Sequence, residues 1–358
     1  MRISRATLTR NAQAIRAALD PSVKLMAVVK ADAYGHGLAE GAEAFLQGGA
    51  QFLAVTIVEE AQTLREAGIT GNILILGGAE RESIADAVAC DVSQTVYTPR
   101  MLLQLRDAAI KQNRRARAHL KIDTGMSRIG VRGDSALMEM LSLWRECPQV
   151  EMEGIFTHFC VSETDPEFTH RQSAEFERAV ALVRGAGFAP MAHAAATGAF
   201  MEKRYQYDMV RPGIAMYGPC SPVAGVECAQ TLVSRPVRIE RIAKGDTVSY
   251  GRIFRAERDT LVMTVPIGYG DGYPRILSGR AQGLVKGQRV NQIGSVCMDM
   301  TMFDVTDVPG VSLEYEIVLM GAQGNDRITP DELAELAGTI PYEIMLGFLP
   351  RVRRVYTD

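Results

Sequence analysis

Before residue 212 the chain repeats one pattern: a short run of apolar and β-branched residues, then a longer stretch with apolar residues at helical spacing. The runs are "KLMAVVK" (Lys24–Lys30), "FLAVTI" (Phe52–Ile57), "NILIL" (Asn72–Leu76), "QTVY" (Gln94–Tyr97), "AHLKID" (Ala118–Asp123), "GIFTH" (Gly154–His158), "PMAH" (Pro190–His193) and "DMVR" (Asp208–Arg211). Segments such as "PRMLLQLRDAAIKQNRR" separate them. Strands that alternate with helices pair in parallel, and eight such units fit a closed (β/α)₈ TIM-type barrel better than an open doubly wound sheet.

After about Cys228 the texture changes. "VSRPVRIERIAKGDTVSYG", "DTLVMTVPIGYGDGYPR", "GLVKGQRVNQIGSVCMDMTMFDV" and "YEIVLMG" alternate in polarity and break at Gly, Pro, Asn and Asp, which predicts a mostly antiparallel β domain. It has one clear helix, "TPDELAELAGTI", with Thr329 as N-cap and Pro330 at the first helical position. The fold class is therefore α/β, a barrel followed by a β domain. Gly and Pro cluster in "GPCSPVAGVECAQ", so the expected division is 1–226 for the barrel and 227–358 for the β domain.

Composition narrows the partners. With 39 basic and 42 acidic residues the formal charge is −3, which provides no field for nucleic acid. No run approaches the ~20 apolar residues of a spanning helix, and the N-terminus lacks a signal-peptide core, so no membrane partner and a cytoplasmic location are expected. Cys90, Cys147, Cys160, Cys220, Cys228 and Cys297 are scattered without a CxxC pair; they are expected to be reduced thiols, with no metal site.

Barrel enzymes build their sites at the carboxyl ends of the strands. Lys30, Asp123, His158 and Arg211 end predicted strands and Arg128 follows closely, so these groups converge on one mouth. A lysine in an apolar setting such as "AVVK" loses ammonium solvation, and its neutral amine can attack a carbonyl to form a Schiff base. The following "AYGHG" predicts a flexible backbone there and supplies Tyr34, whose hydroxyl can donate to a phosphate. In "RPGIAMYG" the turn after Arg211 offers the N–H groups of Gly213 and Ile214 to phosphate oxygens. A Schiff-base lysine beside two phosphate-seeking loops suggests pyridoxal 5'-phosphate as cofactor.

"AVVKADAYGHG", "LKIDTGMSRIG", "FTHF", "MVRPGIAMYG", "VSYGR", "IGYGDGYPR" and "CMDM", in this order across nearly the whole chain, resemble the alanine racemase family. The resemblance implies a pyridoxal-phosphate enzyme that interconverts L- and D-alanine for cell-wall peptidoglycan. It implies a homodimer whose active sites are shared between the barrel of one chain and the β domain of the other. Lys30 matches the Schiff-base lysine and Tyr250 the tyrosine base from the partner. Racemisation needs an acid and a base on opposite faces of the substrate Cα, and these two fill those places. His158 matches the residue that hydrogen-bonds that tyrosine, and Arg211 the arginine facing the pyridine nitrogen. Arg128 matches the residue contacting the cofactor's phenolic oxygen and the substrate carboxylate, and Lys121 a lysine often carbamylated to orient it. Met298, Asp299 and Tyr269 match partner residues lining the substrate site.

Two departures stand out. "HAAAT" replaces the family's frequent "HAANS": Thr197 keeps a hydroxyl for phosphate, while Ala196 replaces an amide. "GFLPRVRRVY" puts Pro350 where many members have a phosphate-binding tyrosine that narrows the entrance, and proline donates no hydrogen bond. The alternatives are therefore a broader racemase for serine or basic amino acids, an amino-acid decarboxylase on the same plan, and a cofactor carrier. Arg211 argues against the decarboxylase, and the second domain against the carrier.

Overall fold

The computed structural model describes residues 1–78 and 83–358. The chain opens on a short strand, β1 (Arg2–Ser4), and the helix Arg5–Ala18, where the Ser4 hydroxyl accepts a hydrogen bond from the Thr7 N–H. Eight parallel strands then close a barrel: β2 (Lys24–Val28), β3 (Phe52–Val55), β4 (Asn72–Ile75), β5 (Ser93–Val96), β6 (Ala116–Lys121), β7 (Val150–Phe156), β8 (Met191–His193) and β9 (Met209–Val210). Closure runs through Lys24 with Met209 and Leu25 with Val210. All eight expected runs became strands, each shorter than the apolar run that announced it or shifted by a few residues. Residues 52–55 are buried throughout, because helices cover the outer face while side chains fill the inner one.

Helix starts follow ordinary capping chemistry. Thr98, Asp165 and Thr329 each accept from the backbone of the first turn, and each is followed by a proline preset for helical φ. The helix Pro330–Ala337 matches its expected cap, and a second short helix, Pro341–Leu346, follows it.

The β domain holds β10 (Gln230–Ser234), β11 (Arg238–Ile242), β12 (Thr247–Val248), β13 (Phe254–Arg255), β14 (Thr260–Val265), β15 (Gln282–Val285), β16 (Gln288–Ile293), β17 (Thr301–Asp304), β18 (Ile317–Gln323), β19 (Asp326–Ile328) and β20 (Val355–Thr357). The main sheet runs β11-β14-β17-β16-β15-β18-β10-β1-β20, with β19 on β18, and β12 and β13 form a separate pair. All the pairings are antiparallel except β1 with β20. The first strand therefore belongs to the second domain's sheet: Arg2 opposes Thr231 on one side and Val355 on the other. One continuous apolar core runs from the barrel into this domain, so the two are packed as one body.

Candidate active site

At the carboxyl end of the barrel strands lies a cavity of about 570 Å³. Lys30, Tyr34, Lys121, Arg128, His158, Thr197, Arg211 and Gly213 all line it. Lys30, Lys121, Arg128 and Arg211 are its cations and Glu163 its one carboxylate among the described residues, a balance suited to an anionic ligand.

Lys30 begins a turn just past β2. Ala31, Asp32, Ala33 and Tyr34 have φ between 50° and 55°, a left-handed turn made by four residues with side chains. The region costs L-residues on the order of 1–2 kcal/mol each, so the surroundings must impose it. The Glu60 carboxylate accepts from the Ala31 N–H, the Ala33 N–H donates to the Val29 carbonyl at 2.9 Å, and Asp32 Oδ1 accepts from the Leu38 N–H at 2.9 Å. Buried His36 adds contacts from Nδ1 to the carbonyls of Ala33 and Tyr34. The flexibility expected from "AYGHG" is thus replaced by a braced, buried turn. Its result is to aim Lys30 and Tyr34 into the same cavity. Burial, with the nearby Arg128 charge, lowers the Lys30 pKa and so enriches the neutral amine.

Opposite Lys30, the Thr197 hydroxyl accepts from the N–H groups of Gly213 at 3.2 Å and Ala215 at 3.4 Å. Ile214 begins the 3₁₀ turn Ile214–Tyr217. Any Cβ at Gly213 would lie 2.5 Å from the Tyr34 hydroxyl oxygen, so only glycine admits that approach. The hydroxyls of Tyr34 and Thr197 and this glycine turn form a cradle of phosphate size.

Arg211 is buried just beyond β9. It donates to the carbonyls of Thr157 and Ala194, both at 2.9 Å, and its guanidinium lies 5.2 Å from the centre of the Phe156 ring. A longer contact of 3.4 Å reaches His158 Nδ1. Since a guanidinium only donates, Nδ1 must accept, and the His158 proton resides on Nε2. Burial, reinforced by Arg211, Arg128, Lys121 and Lys30, pushes the His158 pKa down to about 3, so this ring is neutral at physiological pH. Lys121 is also buried, donating to the Ile122 carbonyl at 2.9 Å; burial and the Arg211 charge push its pKa down to about 7.

The remaining candidates lie elsewhere. Tyr250, Met298 and Asp299 line a different cavity of about 960 Å³ in the β domain, and Tyr250, Tyr269, Met298 and Asp299 are all solvent-exposed. Backbone bonds from Tyr269 to the Cys297 carbonyl and from Gly270 to the Met298 carbonyl zip the loops together. Arg351 bridges Asp271 and Asp299 at 2.6 Å each. One surface therefore presents these four residues, and it is separate from the cavity that holds Lys30.

Tyr342, on the helix Pro341–Leu346, lines the barrel cavity with its ring 5.8 Å from that of Tyr34, whereas Pro350 is exposed. Burial pushes the Tyr342 pKa up to about 12, so its hydroxyl keeps its proton. Sequence reasoning passed over Tyr342 because it sits in a short helix remote from any barrel strand.

Comparison with known proteins gives one result throughout. Residues 3–221 match the family described as alanine racemase, N-terminal domain, and residues 229–356 match alanine racemase, C-terminal domain. "Alanine racemase 2" of Caldanaerobacter subterraneus subsp. tengcongensis is 37% identical over 98% of this chain and 92% of its own length. The alanine racemase of Clostridium perfringens is 39% identical over 93% of this chain and 89% of its own. Among solved structures, the Bacillus anthracis alanine racemase with bound L-Ala-P superposes with a TM-score of 0.91 at 32% identity, covering 100% of this chain and 94% of that one. The enzyme from D-cycloserine-producing Streptomyces lavendulae gives 0.92 at 32% identity, covering 100% and 96%.

Proposed function

The chain belongs to the alanine racemase family and as such interconverts L- and D-alanine; we propose that it does so as a homodimer with pyridoxal 5'-phosphate, each site joining the barrel of one protomer to the β domain of its partner. One observation carries this reading: Lys30 and Tyr250 line different cavities of the same chain, and Tyr250 is 75% exposed. A two-base reaction needs both at one Cα, and a second copy supplies the missing half.

The barrel cavity fits the cofactor. Tyr34, Thr197 and the Gly213–Ile214 turn would hold its phosphate, Lys30 would bind its aldehyde carbon, and Arg211 would face its pyridine nitrogen. Once bound, the electron-withdrawing ring makes the substrate Cα–H acidic. Arg211 would donate to that nitrogen while keeping its own protons, and so would limit charge withdrawal into the ring. Arg128 pairs with the substrate carboxylate. Lys30 and Tyr250 of the partner subunit exchange protons with the two faces of Cα, and His158 Nε2–H donates to that phenol oxygen, easing its ionisation. Met298 of the partner subunit, Asp299 of the partner subunit and Tyr269 of the partner subunit bound the substrate.

Lys121 is the site for a carbamate. Its neutral amine would add carbon dioxide and release one proton, giving an anion able to orient Arg128. Tyr342 supplies an aromatic hydroxyl at the cavity wall despite Pro350, which favours alanine over longer amino acids. The proposed setting is the cytoplasm, with D-alanine passing to cell-wall peptide; among the described residues no helix is long and apolar enough to cross a membrane.

Subunit complementation tests the assembly. Lys30→Ala and Tyr250→Phe chains, each strongly impaired in racemisation alone, are dissociated, mixed and reassembled. A shared site gives mixed dimers with one intact centre, hence about a quarter of wild-type activity per chain. No recovery, with dimers verified by sizing, overturns the shared site.

A further inference from the structure

Behind Arg211 the barrel interior holds a line of polar groups that the reaction above does not use. Arg211 Nη1 lies 2.8 Å from His193 Nδ1, His193 Nε2 lies 2.8 Å from His119 Nδ1, and His119 Nε2 lies 2.9 Å from Glu153 Oε2. The Ser93 hydroxyl donates to the same carboxylate oxygen at 2.5 Å. These side chains come from β5, β6, β7 and β8 and the end of β9, so the line crosses most of the barrel.

The direction of every bond follows from its first member. Guanidinium can only donate, so His193 Nδ1 accepts and its proton sits on Nε2. That proton goes to His119 Nδ1, which leaves the His119 proton on Nε2, facing the carboxylate. Both rings must therefore be neutral Nε2–H tautomers. Burial, with the Arg211 charge, lowers the pKa of both histidines, which agrees. For Glu153 burial alone would raise the pKa, but the bonds from His119 and Ser93 and the Arg117 charge bring it below its ordinary value.

The backbone is shaped to admit the line. The register between β6 and β7 shifts between Ala118 and His119, where Ala118 opposes Met152 and His119 opposes Gly154; Glu153 is the extra residue of a bulge, a device that re-aims a side chain. Any Cβ at Gly154 would lie 2.2 Å from His119 Nδ1, so the ring occupies the space a side chain there would take. His193 stacks on Phe156 at 4.9 Å and 3°, which fixes its plane.

We propose that Glu153, acting through His119 and His193, is a positioning residue for Arg211: the carboxylate supplies the counter-charge of the buried guanidinium and sets which of its edges faces the cofactor. This rests on the reading that Arg211 faces the pyridine nitrogen. Carboxylate-backed imidazoles orient the groups ahead of them in the same way at metal centres, where losing such a partner costs about 10- to 100-fold.

Histidine-selective ¹⁵N NMR of the holoenzyme tests the geometry first: His119 and His193 should both show protonated Nε2 and unprotonated Nδ1 from pH 6 to 9. An imidazolium or an Nδ1–H form at either ring overturns the line. Glu153→Gln then keeps the shape and removes the charge. The expected result is a rise of about tenfold or more in the dissociation constant for pyridoxal phosphate, altered ring ¹⁵N shifts, and partial recovery in Glu153→Asp. A variant that only melts earlier, with wild-type cofactor affinity and ring spectra, reduces the line to core packing and overturns the proposal. If Glu153→Gln does not fold, Ser93→Ala removes one bond to the same oxygen and should move the same observables in the same direction. Failure of the wild-type protein to bind pyridoxal phosphate would instead defeat the cofactor reading.

Discussion

The barrel mouth and the β-domain surface hold their candidate residues in opposite physical states. At the mouth, Lys121 and Arg211 are 3% exposed and Tyr34 is 5% exposed, and burial, reinforced by neighbouring cations, lowers the pKa values of Lys30, Lys121 and His158. On the β domain, Tyr250, Met298 and Tyr269 are 75%, 54% and 41% exposed. One half is organised before any ligand arrives, and the other is an open face. In the proposed dimer the mouth of another chain would cover Tyr250 and bring it to the substrate.

The largest effect should come from removing one group on each side. Lys30→Ala is expected to lower racemisation by more than about 10⁴-fold, because nucleophile and proton carrier vanish together. Tyr250→Phe should cost about 10²- to 10⁴-fold in inversion, yet one enantiomer should still exchange its α-hydrogen with solvent deuterium without inverting. NMR of L- and D-alanine in deuterium oxide reads this directly. Equal exchange of both enantiomers would break the division of labour between the two faces.

A smaller effect sharpens the contrast within the mouth. Carbamylation requires the neutral Lys121 amine, whose pKa is pushed down to about 7, so ¹³C-bicarbonate should give one carbamate signal above that pH and lose it below. The sign is fixed, since acid protonates the amine and releases carbon dioxide. Lys121→Arg should abolish the signal, and a signal that persists in that variant belongs to another lysine. The smallest expected change is Tyr342→Phe. Loss of one hydroxyl from the cavity wall should weaken pyridoxal phosphate about 2- to 10-fold, the range for one net hydrogen bond. An unchanged affinity would leave the barrel cradle complete without it.

The eight barrel strands were legible because buried parallel strands read as continuous apolar runs, and the mouth residues because polar side chains at their ends interrupt those runs. The left-handed turn at 31–34 was not legible. Alanine and aspartate do not announce a positive φ, which here is imposed by Glu60, Val29 and Leu38 from outside the turn. His119, His193 and Glu153 escaped for a similar reason: within a strand each reads as one more inward residue, and only the bulge at Glu153 brings them into line. Lys121 was legible as a position, but its lowered pKa depends on burial and, after that, on the charge of Arg211, which follows β9.

The pairing of β1 with β20 bears on how the molecule is made. During synthesis the barrel strands are complete once residue 210 has emerged, yet β1, which precedes them in the chain, must wait for residues 355–357 before its second edge is filled. Until those residues arrive an unpaired strand edge stays open, the kind of surface that invites association with other nascent chains. The last three-residue strand thus works as a clasp: a chain that stops short of it carries an intact barrel and an unfinished sheet.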